Sequence, residues 1–120
     1  MLTLYMNTCS DIDVIEIESQ HALPAELDES SAYRLAQLFG ALADPSRLRI
    51  IAALVDGEQN VGDLSEAAAI SESAVSHHLR DLRQLRIVKT RKEGRVVYYT
   101  LDDDHVIDLF KRGLEHVRHG

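Results

Sequence analysis

Apolar residues recur at three- and four-residue spacing through most of this chain, and then the period shortens to two. Leu35, Leu38, Phe39 and Leu42 form a first helical stripe. Asp44-Pro45 interrupts it, with Asp44 placed to cap a second helix and Pro45 in its first turn. Leu48, Ile51, Ala52 and Val55 give that helix its apolar face, and Gly57 ends it. A short helix over about residues 61–68 follows, with Val61 and Leu64 inward. Ala69-Ile70-Ser71-Glu72 reads as a turn. Ser71 is a good N-cap for a helix over about 72–84, with Ala74, Val75, Leu79, Leu82 and Leu85 inward.

Then β-branched and aromatic residues take over. Ile87–Arg91 and Arg95–Leu101 predict two strands joined as a hairpin about Lys92-Glu93-Gly94. Asp102–Asp104 offers N-caps for a last helix, whose apolar side is Val106, Ile107, Leu109, Phe110, Leu114 and Val117. The prediction is a mainly α fold with a small β-hairpin: helix, short turn, helix, then a wing. Residues 29–120 are assigned to that domain. Residues 1–28 are expected to form a loosely ordered acidic arm, with Pro24 as a breaker.

Charge sharpens this picture. The 120 residues carry a formal net charge of -7, which by itself argues against nucleic acid. The distribution argues the other way. Residues 1–33 hold seven acids and no Lys or Arg, whereas residues 71–95 hold seven bases against three acids. The bases fall on the second helix of the helix-turn-helix and on the hairpin, where a winged helix meets DNA. Ser73, Ser76, His77 and Arg80 lie on the outer side of that helix, which can enter a major groove about 12 Å wide. Arg91, Lys92 and Arg95 in the wing suit phosphates, and Gly94 allows the tight turn. The plain alternative for these charges is a solvated face.

The last helix carries a second constellation. Asp103-x-His105 is followed after ten residues by His116-x-x-His119. At 1.5 Å per residue, His105 and His116 stand roughly 16 Å apart along the axis, far beyond what one ion spans. Eleven residues nevertheless return to within about 20° of the same face. An antiparallel second copy would bring Asp103 and His105 of one chain beside His116 and His119 of the other, making two equivalent sites. On spacing alone the competing reading is a polar, solvated helix whose histidines bind nothing.

Leu42-Ala43-Asp44-Pro45-Ser46-Arg47-Leu48-Arg49-Ile50, Val61-Gly62-Asp63-Leu64, Ser71-Glu72-Ser73-Ala74-Val75-Ser76-His77-His78-Leu79 and Gly94-Arg95-x-Val97-Tyr98-Tyr99 resemble the ArsR/SmtB family of bacterial metal-responsive repressors over about residues 30–119. The resemblance implies a homodimeric winged helix that binds operator DNA in its apo form. Metal would release it, derepressing efflux or sequestration genes. It also implies a zinc site on the last helix, matched here by Asp103, His105, His116 and His119. Three imidazoles and a carboxylate suit Zn2+, with Co2+ or Ni2+ possible, better than a hard ion. Thiolate-type members carry cysteines just before Val-Gly-Asp-Leu, where this chain has Glu58-Gln59-Asn60.

Other residues and functions weigh less. His21 reads as solvated, and the adjacent His77 and His78 do not share a face. The single cysteine, Cys9, allows no intramolecular disulfide and fits a reducing cytoplasm. No run approaches the ~20 apolar residues of a membrane span, and the start lacks the basic region of a signal peptide. An enzyme is not expected: no nucleophile motif or phosphate loop is present, and Asp103 would fill the open position that catalytic zinc needs. The alternative function is a winged-helix regulator with a metal-independent trigger, such as Cys9 oxidation or a small-molecule ligand. A last expectation concerns His116, whose free ring N–H is placed to reach the backbone around Arg86.

Overall fold

The computed structural model describes residues 27–119. Residues 1–26 of the expected N-terminal arm, Cys9 and His21 among them, lie outside the described residues. The chain divides into two units, with the boundary between Arg34 and Leu35. Of the first, the described part is the opening of α1 (Glu29–Leu42), where Asp28 Oδ1 accepts the Ser31 N–H at 2.7 Å.

The second unit continues through α2 (Pro45–Val55), α3 (Val61–Ala68), α4 (Glu72–Gln84), β1 (Val88–Glu93), β2 (Val96–Leu101) and α5 (Asp104–His119). This is the winged helix-turn-helix read from the sequence. Each helix starts where a side chain satisfies its orphan N–H groups. Asp44 Oδ1 accepts from Ser46 (2.7 Å) and Arg47 (3.3 Å), and Ser71 Oγ accepts from Ala74 at 3.1 Å. Asn60 caps α3 by accepting the Asp63 N–H at 2.8 Å, a cap the apolar pattern did not mark. α3 ends on Ala69 in the left-handed region, at φ 58° and ψ 43°.

Strands β1 and β2 pair antiparallel, from Val88 opposite Leu101 to Glu93 opposite Val96. Lys92 and Glu93 are therefore strand residues, and the connection is Gly94-Arg95 rather than Lys92-Glu93-Gly94. Gly94 has φ 62°, and glycine at the first of two connecting residues matches the strand twist. A third segment joins on the far edge of β2, where Gln59 and Tyr99 exchange backbone hydrogen bonds of 3.1 and 2.8 Å.

The core gathers Ile50, Ile51 and Leu54 of α2, Leu64 of α3, Val75, Leu79 and Leu82 of α4, and Ile87, Val88 and Leu101 around the wing. Two expectations change here. On α2 the buried face is Ile50, Ile51 and Leu54, while Leu48 and Ala52 are exposed. That helix packs on α3 and β2, so its core side is rotated from the stripe the spacing suggested. Leu85 is also exposed, because α4 ends at Gln84 and the chain turns through Arg86 at φ 60°.

The other apolar stripe of the pattern stays open. Phe39, Leu48, Leu114 and Val117 are exposed, Val117 at 72%. With Leu42, Ile51, Val106, Leu109, Phe110 and Gly113 they line a groove of about 420 Å³ between α1, α2 and α5. Among the described residues, no helix is long and apolar enough to cross a membrane.

Candidate nucleic-acid interface and metal centre

Helix α4 uses its circumference for three purposes. Val75, Leu79 and Leu82 face the core. Ser73, Ser76, His77 and Arg80 are exposed on the opposite side, as the spacing predicted. Between α4 and β2 lies a cleft of about 510 Å³ lined by Ser76, Leu79, Arg80, Arg83, Gln84 and Tyr99. Arg83 joins this surface without having been singled out by sequence. Its spacing of three from Arg80 and seven from Ser76 was the available signal.

A third edge of α4 is bound to α2. Arg47 Nε donates to His78 Nδ1 at 3.0 Å, and its Nη2 donates to Asp81 Oδ2 at 2.7 Å. The backbone of Arg47 is itself bound by the Asp44 cap. Asp44 is held below the usual aspartate range, first by the Arg47 N–H, then by the Ser46 N–H, against a smaller opposing effect of burial. His77 and His78 have ring centroids 6.2 Å apart at 67°. His78 faces Arg47 while His77 is exposed, so the two point to different surroundings.

In the wing, Lys92 and Arg95 are exposed. Arg91 is exposed too, but its guanidinium is already held. Nη2 and Nε donate to Glu58 at 2.6 and 3.2 Å, and Nη1 donates to Glu93 at 3.2 Å. The guanidinium carbon lies 4.9 Å from the centroid of Tyr98, its cross-strand partner. The Glu58 hydrogen bonds, then that of Glu93, raise the Arg91 pKa, and Arg91 holds Glu58 below the ordinary carboxylate range. Glu58 and Arg91, 33 positions apart in sequence, are thus joined across β2, a relationship that local spacing does not display.

The four potential metal ligands sit as two separate pairs at the ends of α5. Asp103 Oδ1 caps the helix, accepting from His105 (2.9 Å) and Val106 (3.3 Å). Its Oδ2 lies 3.5 Å from His105 Nδ1. The side chains of His105 and Asp103 are 94% and 50% exposed. Burial pushes the Asp103 carboxyl upward, but the Val106 N–H and the His105 side chain and N–H together bring it below its ordinary value. His116 and His119 are exposed in the last turn. Among the described residues of one chain, no three His, Cys, Asp or Glu side chains converge on a metal position. The donor types nevertheless fit zinc: a carboxylate and an imidazole are paired at one end, and two imidazoles stand at the other.

The hydrogen bond expected from His116 to the backbone near Arg86 is absent within the protomer. No described residue accepts from His116, and Arg86 N donates to Arg83 O at 3.0 Å. Helix α5 packs on α2 and β2, and residues 111–119 are exposed.

A capped recognition helix, a basic hairpin beside it and a cleft between them define a winged-helix DNA-binding regulator. Residues 44–90 match the bacterial regulatory proteins of the arsR family. The transcriptional repressor SmtB homolog of Synechocystis sp. is 48% identical over 95 residues, covering 79% of this chain and 72% of that protein. The chain therefore belongs to the ArsR family and is a transcriptional regulator. The transcriptional activator HlyU of Vibrio cholerae is 42% identical over 90 residues, 72% of this chain and 82% of that protein. The solved HlyU structure aligns with a TM-score of 0.69 at 35% identity, over 78% of this chain and 100% of that one. A homodimeric winged helix-turn-helix domain, Mb0332 of Mycobacterium bovis, aligns with a TM-score of 0.67 at 28% identity, over 81% and 96% of the two chains.

Proposed function

We propose that this regulator is a homodimeric repressor that binds operator DNA without metal and leaves it on taking up Zn2+. The observation that carries the reading is the arrangement of α5. Its two ligand pairs are exposed at opposite ends of one helix, beside an apolar groove that the protomer leaves open. A second copy laid antiparallel along α5 covers Leu114 and Val117 and joins Asp103 and His105 to His116 and His119 of the partner subunit. Each shared site gives zinc four ligands, and the ion supplies a divalent charge that ties two helices together. Co2+ or Ni2+ would use the same donors.

On the DNA side, Ser73, Ser76, His77 and Arg80 enter the major groove, and Lys92 and Arg95 meet phosphates. Arg91 adds to that surface only what its carboxylate partners release. The α5 helices set the separation of the two reading heads, which must match successive major grooves. Metal and operator then oppose each other reciprocally, with a coupling of about 1–3 kcal/mol.

A duplex selected by the protein from a random-sequence pool provides the test. Titration with Zn2+ should weaken binding, and a chelator should restore it. Binding that ignores both would instead support the second reading, a metal-independent trigger such as Cys9 oxidation or a small molecule. The likeness to HlyU, named as a transcriptional activator, shows that similar proteins do not all act as repressors.

A further inference from the structure

We infer that Arg47 is the positioning residue that sets the rotation of the recognition helix about its own axis. The inference rests on α4 being the DNA-reading element.

The core alone does not fix that rotation tightly. Val75, Leu79 and Leu82 form one apolar stripe on α4, and apolar contact is non-directional. A turn of about 20° moves the surface of a helix of radius about 5–6 Å by roughly 2 Å. That displacement is enough to lose a bidentate contact to a base edge. Directional bonds on a second edge of the helix remove the freedom. His78 and Asp81 are three residues apart on one such edge, and Asp81 lies roughly 100° around from Arg80.

Arg47 suits this task in three ways. Its backbone is fixed by the Asp44 cap at the start of α2. Its side chain is only 17% exposed. Its planar fork presents Nε and Nη2 to two different acceptors on α4, at 3.0 and 2.7 Å. A lysine could reach one of them as a point charge but could not hold both. The same helix α2 sends Leu48 and Ile51 to the open groove beside α5. Arg47 therefore ties α4 to the element that the proposed dimer and metal sites press upon.

The test separates reading from electrostatics. Affinity is measured for a duplex selected by the wild-type protein and for a scrambled duplex of equal length, each across a salt series. Arg47→Lys keeps the charge, and His78→Leu removes one acceptor. Both should leave scrambled-duplex affinity and the salt slope unchanged while lowering selected-duplex affinity about tenfold, equivalent to about 1.4 kcal/mol. His78→Asn keeps an acceptor near the Nδ1 position and should retain the wild-type preference. A merely structural role would lower thermal stability and leave the ratio of the two affinities intact, which overturns the inference. So does a salt slope flattened by about 1 in Arg47→Leu, the mark of a phosphate contact. His78 is half-buried rather than core, so its two variants carry the test even where the Arg47 variants fail to fold. A wild-type protein that prefers no duplex refutes the DNA-reading assignment itself and removes the basis of the inference.

Discussion

Asp103 divides its carboxylate between two tasks beside His105. Oδ1 accepts the His105 backbone N–H at 2.9 Å, while Oδ2 stands 3.5 Å from His105 Nδ1. One oxygen thus holds the start of α5, and the other is turned toward a second potential ligand. Asparagine caps helices as well as aspartate does but offers no anionic ligand. Asp103→Asn should therefore keep the melting temperature of the metal-free protein and lower zinc affinity at least about tenfold. Calorimetric titration alongside thermal denaturation reads both. Unchanged zinc affinity removes Asp103 from the ligand set.

Cross-chain ligation has a stoichiometric signature. In a mixed dimer of one His105→Ala chain and one His116→Ala chain, one site keeps all four ligands while the other loses two. Such a dimer should bind one zinc ion at wild-type affinity. Two equally impaired sites would overturn cross-chain ligation.

The wing arginines should differ from each other. Arg95 is exposed in the turn and bonded to no other described side chain, so Arg95→Ala should flatten the log–log salt dependence of DNA affinity by about 1. Arg91 is committed to Glu58 and Glu93, so Arg91→Ala should change the slope by less. Equal slopes for the two variants would mean that DNA strips Arg91 from its carboxylates.

Ala69 is a position where the chain carries avoidable strain. A left-handed conformation costs an L-residue about 1–2 kcal/mol, against about 0.5–1 kcal/mol of extra chain entropy that glycine loses on folding. Ala69→Gly should stabilise the protein by up to about 1 kcal/mol, measurable by urea denaturation. A loss of stability would show that the methyl group makes a contact worth more than the strain.

Asp44 supplies an acid-sensitive contribution to folding. Its folded pKa lies below its unfolded value, so the stability it adds is complete above the ordinary aspartate pKa of about 3.9. That contribution disappears as pH falls through the lowered folded value. Asp44→Asn caps without titrating. The gap in melting temperature between wild type and this variant should be constant above about pH 5 and narrow below about pH 4. A gap that persists to about pH 2 would place the acid sensitivity elsewhere.

Helix positions were legible because their signals are local. Asp44-Pro45 and Ser71 announce their helices within three residues, and the change of period at Ile87 announces the wing. Burial was less legible. Periodicity shows that Leu48, Phe39, Leu114 and Val117 lie on apolar faces, but not whether the same chain covers them. The hairpin tip moved because Gly94 can serve either end of a short turn, and only pairing register decides which. The ligand pairs on α5 were visible as a repeat of eleven residues. Arg47 with Asp81 and Glu58 with Arg91 were invisible, since each pair is 33 or 34 residues apart in sequence and no local pattern marks it.

The backbone pairing of Gln59 with Tyr99 pins the connection between α2 and α3 to the far edge of β2. Surface connections ordinarily absorb insertions and deletions at little cost. This one cannot: adding or removing one residue would move Gln59 off its bridge to Tyr99. Glu58 would then lose Arg91, and Asn60 would leave the start of α3. Among regulators built on this plan, the length of that connection should vary less than the length of the hairpin tip, which pairs with nothing beyond itself. A segment that looks like a spacer is thus constrained by count rather than by composition, and its side chains are left free to diverge.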